Sequence, residues 1–412
     1  MDDQTVATAP DVPRLELDPT VPPRRRRRRP RRAAARPLSE LRVVALTNMV
    51  PPYKVAELER LAAEVGELQV WISTAMEADR RWEPDWGTLD VVPQRNLSVS
   101  LHRRHPGGYR ELQVIHIPWD TLPRLWRIRP DVVISSELGA RTLQVALYCA
   151  LTSTPLVVGC GVTEAIEHGR GPLRRMLRRV LVPRADAMTV PGSSGARYLQ
   201  RLGAAPDRLL FLPYSSFHPD RALPERPRAG DLRLLYIGQL IDRKGVLPFM
   251  QAIARWGRRH PGRSVELHLV GEGPVSARVD QIELPGNVRL RRSGHVPYRQ
   301  VPEMYEHADI SVLPSLGDEW GNAVSESLAL GVPVLGSVYS QAVEMIVREG
   351  VNGWSFRPDD PASIDAALDR ALAAGRPRLA QMRAAARASV RFLTPEFTAG
   401  QILAAVRLAT RA

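Results

Sequence analysis

The sequence predicts an α/β protein built from two doubly wound parallel sheets, preceded by a basic arm. Three observations carry that prediction. Short β-branched runs alternate with helical periodicity from residue 41 onward (41–47, 55–65, 68–72), which is the spacing of a βαβ unit. The alternation stops in a proline-rich stretch at 215–230 and restarts at Leu232. Residues 309–337 then read as strand, loop, helix and strand without a gap, with Gly331 and Pro333 stopping the helix.

At 412 residues and 44% apolar content the chain suits two or three globular domains. The expected divisions are an Arg-rich disordered arm (1–39), a first α/β domain (40–213), a linker (214–231), a second α/β domain (232–393) and a final helix (394–412). The two cysteines, Cys149 and Cys160, lie in apolar surroundings without metal or redox spacing, which suits a reducing compartment and a packing role. No apolar run approaches the roughly 20 residues that span a bilayer, and the N-terminus lacks the apolar core of a signal peptide. The expected location is cytoplasmic, with peripheral attachment to the inner face of the plasma membrane open to it.

The net charge of +13 suits anionic partners: nucleic acid, a membrane surface or sugar diphosphates. Charge alone does not choose among them. Residues 1–40 carry ten arginines against six acids, with the run Arg24–Arg29 followed by Arg31 and Arg32. Three readings compete for this arm: a solvated tail, attraction to anionic lipid, and nonspecific nucleic-acid binding. It has no aromatic residue on which a base could stack, which counts against the third.

In chain order, 41–47 reads as a buried strand, Pro51, Pro52 and Tyr53 open a helix, and 68–72 is the next strand. Between 76 and 122 the pattern is hard to read. His102 and His105 fall here, but no carboxylate or cysteine accompanies them, so a surface or acceptor-facing loop is expected rather than a metal site. A strand at 131–135 ends in Ser136 and Glu137. Ligands of such sheets lie outside the carboxyl ends of strands, so Glu137 is a candidate contact, and a plain helix-start acid is the competing reading. The loop after the 155–159 strand adds Glu164, and Tyr53, at the helix start after the first strand, is a further acceptor-side candidate. Residues 173–181 place apolar side chains at 173, 176, 177, 180 and 181 and arginines at 174, 175, 178 and 179. That basic amphipathic helix either packs on the sheet with a solvated face or docks on anionic lipid through Arg174, Arg175, Arg178 and Arg179.

The second half has strands at 234–237, 265–270 and 288–290, each ending in a glycine-containing loop. The stretch 314–337 concentrates the chemistry. Free backbone N–H groups at Gly321, Asn322 and Ala323, at a helix start, can hold a phosphate. Glu326, further along that helix, can accept paired hydrogen bonds from vicinal hydroxyls such as those of a ribose. Asp318 in the preceding loop can do the same for another polyol.

Asp318, Gly321, Glu326 and Pro333-Val334, in this spacing, resemble the signature of the retaining family 4 glycosyltransferases, which have the GT-B fold. That fold has two Rossmann-like domains facing a cleft, and a last helix that crosses back to the first. The family carries Glu where Asp318 stands, so this arm is one methylene shorter, and the neighbouring Glu319 is placed to share its role. Gly238 to Gly245 resembles the family's Gly-Arg-Leu, spacer, Lys-Gly pattern, whose basic residues neutralise the donor diphosphate. Lys244 and Gly245 match, Gln239 replaces the arginine, and Arg243 adds a charge beside Lys244. Gly271-Glu-Gly and Ser293–Pro297, with His295 and Val296, resemble segments whose backbone approaches the nucleotide. In the first domain the family's Gly-Gly pair is replaced by Asn48–Tyr53, and the resemblance there is general.

The resemblance implies transfer of a sugar, with retention, from a UDP- or GDP-type donor to a hydroxyl of a glycan or lipid-linked acceptor. Cell-surface polysaccharide or glycolipid synthesis would be the setting. Asp318, Lys244 and Glu326 would form the catalytic set, and no metal or other cofactor is implied. A phosphate oxygen of the donor would receive the acceptor proton. Two alternatives stay open from the sequence: another nucleotide-sugar chemistry such as epimerisation on the same fold, and a basic nucleic-acid-binding protein.

Overall fold

The computed structural model describes residues 12–22, 36–77, 84–215 and 230–411. They form two compact units. The expected linker and the arginine run at 24–32 lie almost wholly outside the described residues, as do 78–83.

The first unit is built on β1 (Arg42–Thr47), α1 (Pro52–Glu64), β2 (Glu67–Ile72) and β3 (Asp90–Pro93). A hairpin follows, β4 (Asn96–Arg104) with β5 (Arg110–Pro118), and then α2 (Thr121–Ile128). The unit continues with β6 (Val132–Ser136), α3 (Ala140–Thr152), β7 (Leu156–Gly159), α4 (Glu164–Glu167), α5 (Pro172–Leu181), β8 (Ala187–Val190), α6 (Ser193–Arg201) and β9 (Leu209–Phe211). Seven strands pair in the order β3-β2-β1-β6-β7-β8-β9, all parallel. The β-branched alternation explains how both faces are covered. Val44 and Leu46 point into the cluster that holds Val145, Leu181 and Leu199, whereas Val43 and Ala45 point into the one that holds Leu58 and Leu61. The hairpin pairs antiparallel from Asn96↔Pro118 to Arg104↔Arg110 as a separate two-stranded sheet.

Two stretches distant in sequence complete this unit. Residues 15–22, inside the expected arm, are packed rather than free: the Glu16 amide donates to Ser193 Oγ at 2.9 Å, and Asp18 and Gln200 exchange two hydrogen bonds of 2.9 Å. Leu15 and Leu17 rest against the core. The last helix is the other.

The second unit comprises β10 (Leu232–Ile237), α7 (Val246–Arg259), β11 (Val265–Val270), α8 (Ser276–Asp280), β12 (Val288–Ser293), α9 (Val301–Glu306) and β13 (Ile310–Leu313). It continues with α10 (Asn322–Ala329), β14 (Val334–Ser337), α11 (Gln341–Ile346), β15 (Gly353–Phe356), α12 (Pro361–Ala373) and α13 (Gly375–Ser389). Its six parallel strands run β12-β11-β10-β13-β14-β15, the 3-2-1-4-5-6 order of a Rossmann sheet. Leu234 and Tyr236 face a cluster with Phe249, Ile253 and Leu368, and Leu235 faces Tyr305 and Leu330. The closing helix α14 (Pro395–Thr410) packs in the first unit, with Ile402, Leu403 and Val406 against α1 and β8.

Helix α5 departs from its expected polarity. Arg178 is buried and pairs with the buried Glu167 at 2.5 Å, and Arg174 reaches the same carboxylate at 3.0 Å. Leu177 and Leu181 turn inward with them, but Leu173, Met176 and Val180 are exposed. The expected face of four solvated arginines is therefore reduced to Arg175 and Arg179. The reason is a partner that helical periodicity cannot reveal: Glu167 comes from the preceding helix.

Candidate active site

In a sheet of 3-2-1-4-5-6 order the connections diverge between the first and fourth strands, here β10 and β13, and that crevice is where such sheets take ligands. The loops that leave these two strands hold the charged residues singled out from the sequence. After β10 the chain passes Gly238 and Gln239, makes a single 3₁₀ turn at Asp242–Lys244, and enters α7 through Gly245. After β13 it passes Pro314 and Leu316. The two loops are tied together: the Leu316 amide donates to the Arg243 carbonyl at 2.8 Å. Gly245 adopts φ 68°, and a Cβ there would stand 1.9 Å from the Pro314 carbonyl oxygen. Only glycine allows both the left-handed backbone and this approach, so Gly245 fixes where Arg243 and Lys244 leave the backbone.

The remaining loops at this end of the sheet pack in the same way. The Gly238 amide donates to Val270 and the Gly271 amide to Ser293, both at 3.0 Å, and Tyr236 Oη donates to the Gln239 carbonyl at 2.8 Å. The backbones that follow β10, β11 and β12 are thus stacked edge to edge. His295 is exposed and its amide donates to Glu272 at 3.3 Å, while Val296 rests on the Tyr305 cluster.

Helix α10 starts at Gly321, whose φ of 103° and contacts with Ser340 and Leu313 leave no room for a side chain. A Cβ would lie 2.5 Å from Ser340 Oγ. Asn322 and Ala323 follow, both partly exposed, in the first turn. Glu326 lies one turn further on and is half-buried. The Tyr298 and Tyr305 hydroxyls approach its two oxygens at 3.4 and 3.5 Å, long for hydrogen bonds, and Tyr305 Oη also donates to the Ala323 carbonyl at 3.1 Å. Burial pushes the Glu326 carboxyl up to about 7, and the two tyrosine hydroxyls oppose that rise. Burial and the Glu326 charge likewise hold the Tyr305 phenol well above its ordinary range. Neither tyrosine was singled out as a site residue from the sequence, since both come from segments before β13 and only the fold brings them to Glu326.

Asp318 and Glu319, expected with Glu326 on the donor side, belong instead to the first unit. The chain leaves the second unit after Leu316 and re-enters it at Gly321, and 317–320 pack with residues of the first. Trp320 is fully buried, its ring 6.3 Å from that of Phe211, and Gly317 abuts Ile166. Asp318 is buried. Glu319 accepts from Tyr214 Oη at 3.1 Å; Tyr214 stacks on Tyr53 at 5.7 Å and 20° and carries Lys54 over its ring at 5.5 Å. Tyr53 is thereby brought together with Glu319.

The first sheet has its own crevice, between β1 and β6. Asn48, after β1, donates to Glu137 Oε1 at 2.7 Å, and the buried Arg141 donates to Asn48 Oδ1 at 2.6 Å and Ser73 Oγ at 2.5 Å. Glu137 has φ 71°, a left-handed conformation uncommon for a residue with a side chain, and its amide donates a hydrogen bond to the Gly159 carbonyl at 2.7 Å. Glu164 does not join this group. It is engaged by Arg197 at 2.9 Å and Arg201 at 2.6 Å on α6. His105 is stacked on Tyr109 at 4.4 Å, with one ring nitrogen on the Gly107 amide and the other facing the Ile166 carbonyl, so it is a packing residue.

Two doubly wound units in one chain, the first completed by the chain's last helix, define an α/β protein of the GT-B fold. A solved structure of the same architecture is HepE of Anabaena, in complex with UDP: TM-score 0.61, 13% identity, covering 89% of this chain and 100% of that one. Among relatives by sequence, glycogen synthase of Mycobacterium tuberculosis is 30% identical over 286 residues, and the alignment spans 66% of each chain, just under two thirds. The putative colanic acid biosynthesis glycosyltransferase WcaL of Salmonella typhimurium is 24% identical over 76% of this chain and 82% of its own. Residues 231–374 match the family model of the glycosyl transferases group 1.

Proposed function

We propose that this protein transfers a glycosyl unit from a nucleotide diphosphate sugar, of UDP or GDP type, to a hydroxyl of a glycan or lipid-linked acceptor, with retention at the anomeric carbon. The observation that carries the reading is the convergence, at the β10/β13 crevice, of the glycine-fixed Arg243-Lys244 loop and the helix start that precedes Glu326. Support also comes from the two relatives named above, a glycogen synthase and a putative glycosyltransferase, and from the UDP of the HepE structure.

In this reading ionised Glu326 accepts the two ribose hydroxyls, and Tyr298 and Tyr305 keep its oxygens oriented. The partly exposed turn at 295–296 receives the base. The amides of Gly321, Asn322 and Ala323 and the ammonium of Lys244, with Arg243 beside it, meet the diphosphate. Charge grows on that diphosphate as the glycosidic bond breaks, so donors fixed in advance lower the barrier without reorganising. A donor phosphate oxygen takes the proton of the attacking hydroxyl. Asp318 and Glu319 bind the sugar hydroxyls, a role that suits acids already ordered by packing and by Tyr214. Cell-surface polysaccharide or glycolipid synthesis is the setting proposed for the reaction.

The test is a thermal-shift screen of nucleotide sugars followed by product analysis with and without glycan acceptors. The reading predicts stabilisation by a nucleoside diphosphate and its sugar, and acceptor-dependent release of the diphosphate. A donor that binds but is only isomerised, whatever the acceptor, contradicts it.

A further inference from the structure

The unexpected polarity of α5 is part of a larger surface. Leu173, Met176 and Val180 stand outward on α5, with Leu173 73% exposed. The neighbouring helix α3 presents Leu143, Leu147 and Leu151, one per turn along a single stripe, with Leu151 66% exposed. A helix that needs only one buried face ordinarily fills the opposite face with polar residues, but here α3 exposes a leucine stripe and α5 mixes apolar side chains with its exposed arginines. The surroundings are basic. Arg175 and Arg179 are exposed on α5 and Arg127 on α2, which packs beside α3. Across α2, α3, α5 and the β4–β5 hairpin there is one acid, Glu111, and it is held by Arg170 at 2.6 Å.

We infer that the α3–α5 face docks on an anionic lipid bilayer, its leucine and methionine side chains entering the interface and its arginines meeting the headgroups. Charge complementarity selects this occupant. A second copy seated face to face would bring the same arginines together with no acid to offset them, since a two-fold interface is made of one patch twice. A bilayer is fluid, so it asks only for apolar tips at similar height and a basic rim. No described helix is long and apolar enough to cross a membrane, so the attachment would be interfacial. This inference does not rest on the proposed transfer reaction, and it moves the lipid contact from the arginines of α5, two of which are engaged by Glu167, to its apolar side.

The experiment is co-sedimentation of the full chain with vesicles of phosphatidylcholine alone or containing phosphatidylglycerol. The wild type is expected to pellet with the anionic vesicles only. The variant Leu143→Ser/Leu147→Ser/Leu173→Ser/Met176→Ser should bind them about tenfold more weakly or worse, and Arg175→Gln/Arg179→Gln should lose the preference for anionic lipid. Changing Arg24–Arg29 to Gln in the full chain should leave most of the binding intact. Cys149 and Cys160 are buried, so a polarity-sensitive dye on Leu173→Cys reports this face alone, and its emission should shift to the blue on adding anionic vesicles. The inference fails if the serine variant binds as the wild type does, if the arm variant abolishes binding, or if the dye does not respond. It also fails if sizing shows a concentration-dependent dimer that the serine changes abolish while no vesicles are bound.

Discussion

Glu326 carries more of the proposed chemistry than any other side chain, and its surroundings set a pH dependence. Its carboxyl is raised by burial from 4.5 to about 7, so the free protein holds a proton there at pH 6 that a ribose must displace. Donor affinity should therefore strengthen between pH 6 and pH 8, and calorimetric titration of Glu326→Gln should show weaker binding with that slope removed. The sign for stability is opposite. A carboxyl raised in the fold stabilises fully below about 4.5, and the contribution is lost as pH rises through about 7. The wild type should thus lose more Tm between pH 5 and pH 8 than Glu326→Gln does. Lys244→Ala is expected to lower kcat by more than it raises the donor KM, by about 10²-fold, since the charge it meets is largest in the transition state. Equal effects on both would remove that role. The spacing of Glu326 from Gly321 was legible in the sequence because one helix holds both. Tyr298 and Tyr305, which tune it, come from other segments, and no local pattern announces a hydroxyl 3.4 Å from a distant carboxylate.

At the scale of elements, the loop after β10 and the loop after β13 act as one piece because Gly245 lets them touch. Gly245→Ala puts a Cβ where the Pro314 carbonyl stands and asks a non-glycine residue to hold φ 68°. A loss of about 1–3 kcal/mol in urea unfolding is expected, together with weaker nucleotide binding, because Lys244 moves with the loop. Helix α5 offers the corresponding test in the first unit. Glu167→Gln leaves Arg178 buried without its counter-charge, which should cost about 3–5 kcal/mol, measured by urea denaturation. An unchanged midpoint would mean that the pair adds nothing to the fold. Strands and helix starts were the legible part of the sequence: β1, β10, β13 and α10 all lie where periodicity and glycine punctuation put them. Helix α5 was legible as a helix but not in its orientation. Its arginines and its apolar residues form two stripes, and which stripe turns inward is decided by Glu167, seven residues before Arg174 and in another helix. The hairpin at 96–118 carried the signal in Leu97, Val99 and Leu101, three alternate positions, but its exposed faces gave none of the contrast between core and solvent that usually marks a strand.

For the whole molecule, the sequence made two α/β units foreseeable because each begins with a βαβ pattern of its own. The exchange of segments between them was not. Residues 317–320 sit within four positions of Gly321 in sequence yet pack with Phe211 and Tyr214, because Trp320 is too large and apolar to stay outside a core. Asp318 and Glu319 are carried along by that burial, which orders them before any sugar is bound. Retention of configuration is the central property proposed for the transfer. The most direct measurement is proton NMR of the product formed from a binding nucleotide sugar and an acceptor, read at the anomeric proton. An α-linked donor should yield an α-linked product with release of the nucleoside diphosphate. A β-linked product, or diphosphate release without any glycoside, would contradict the account.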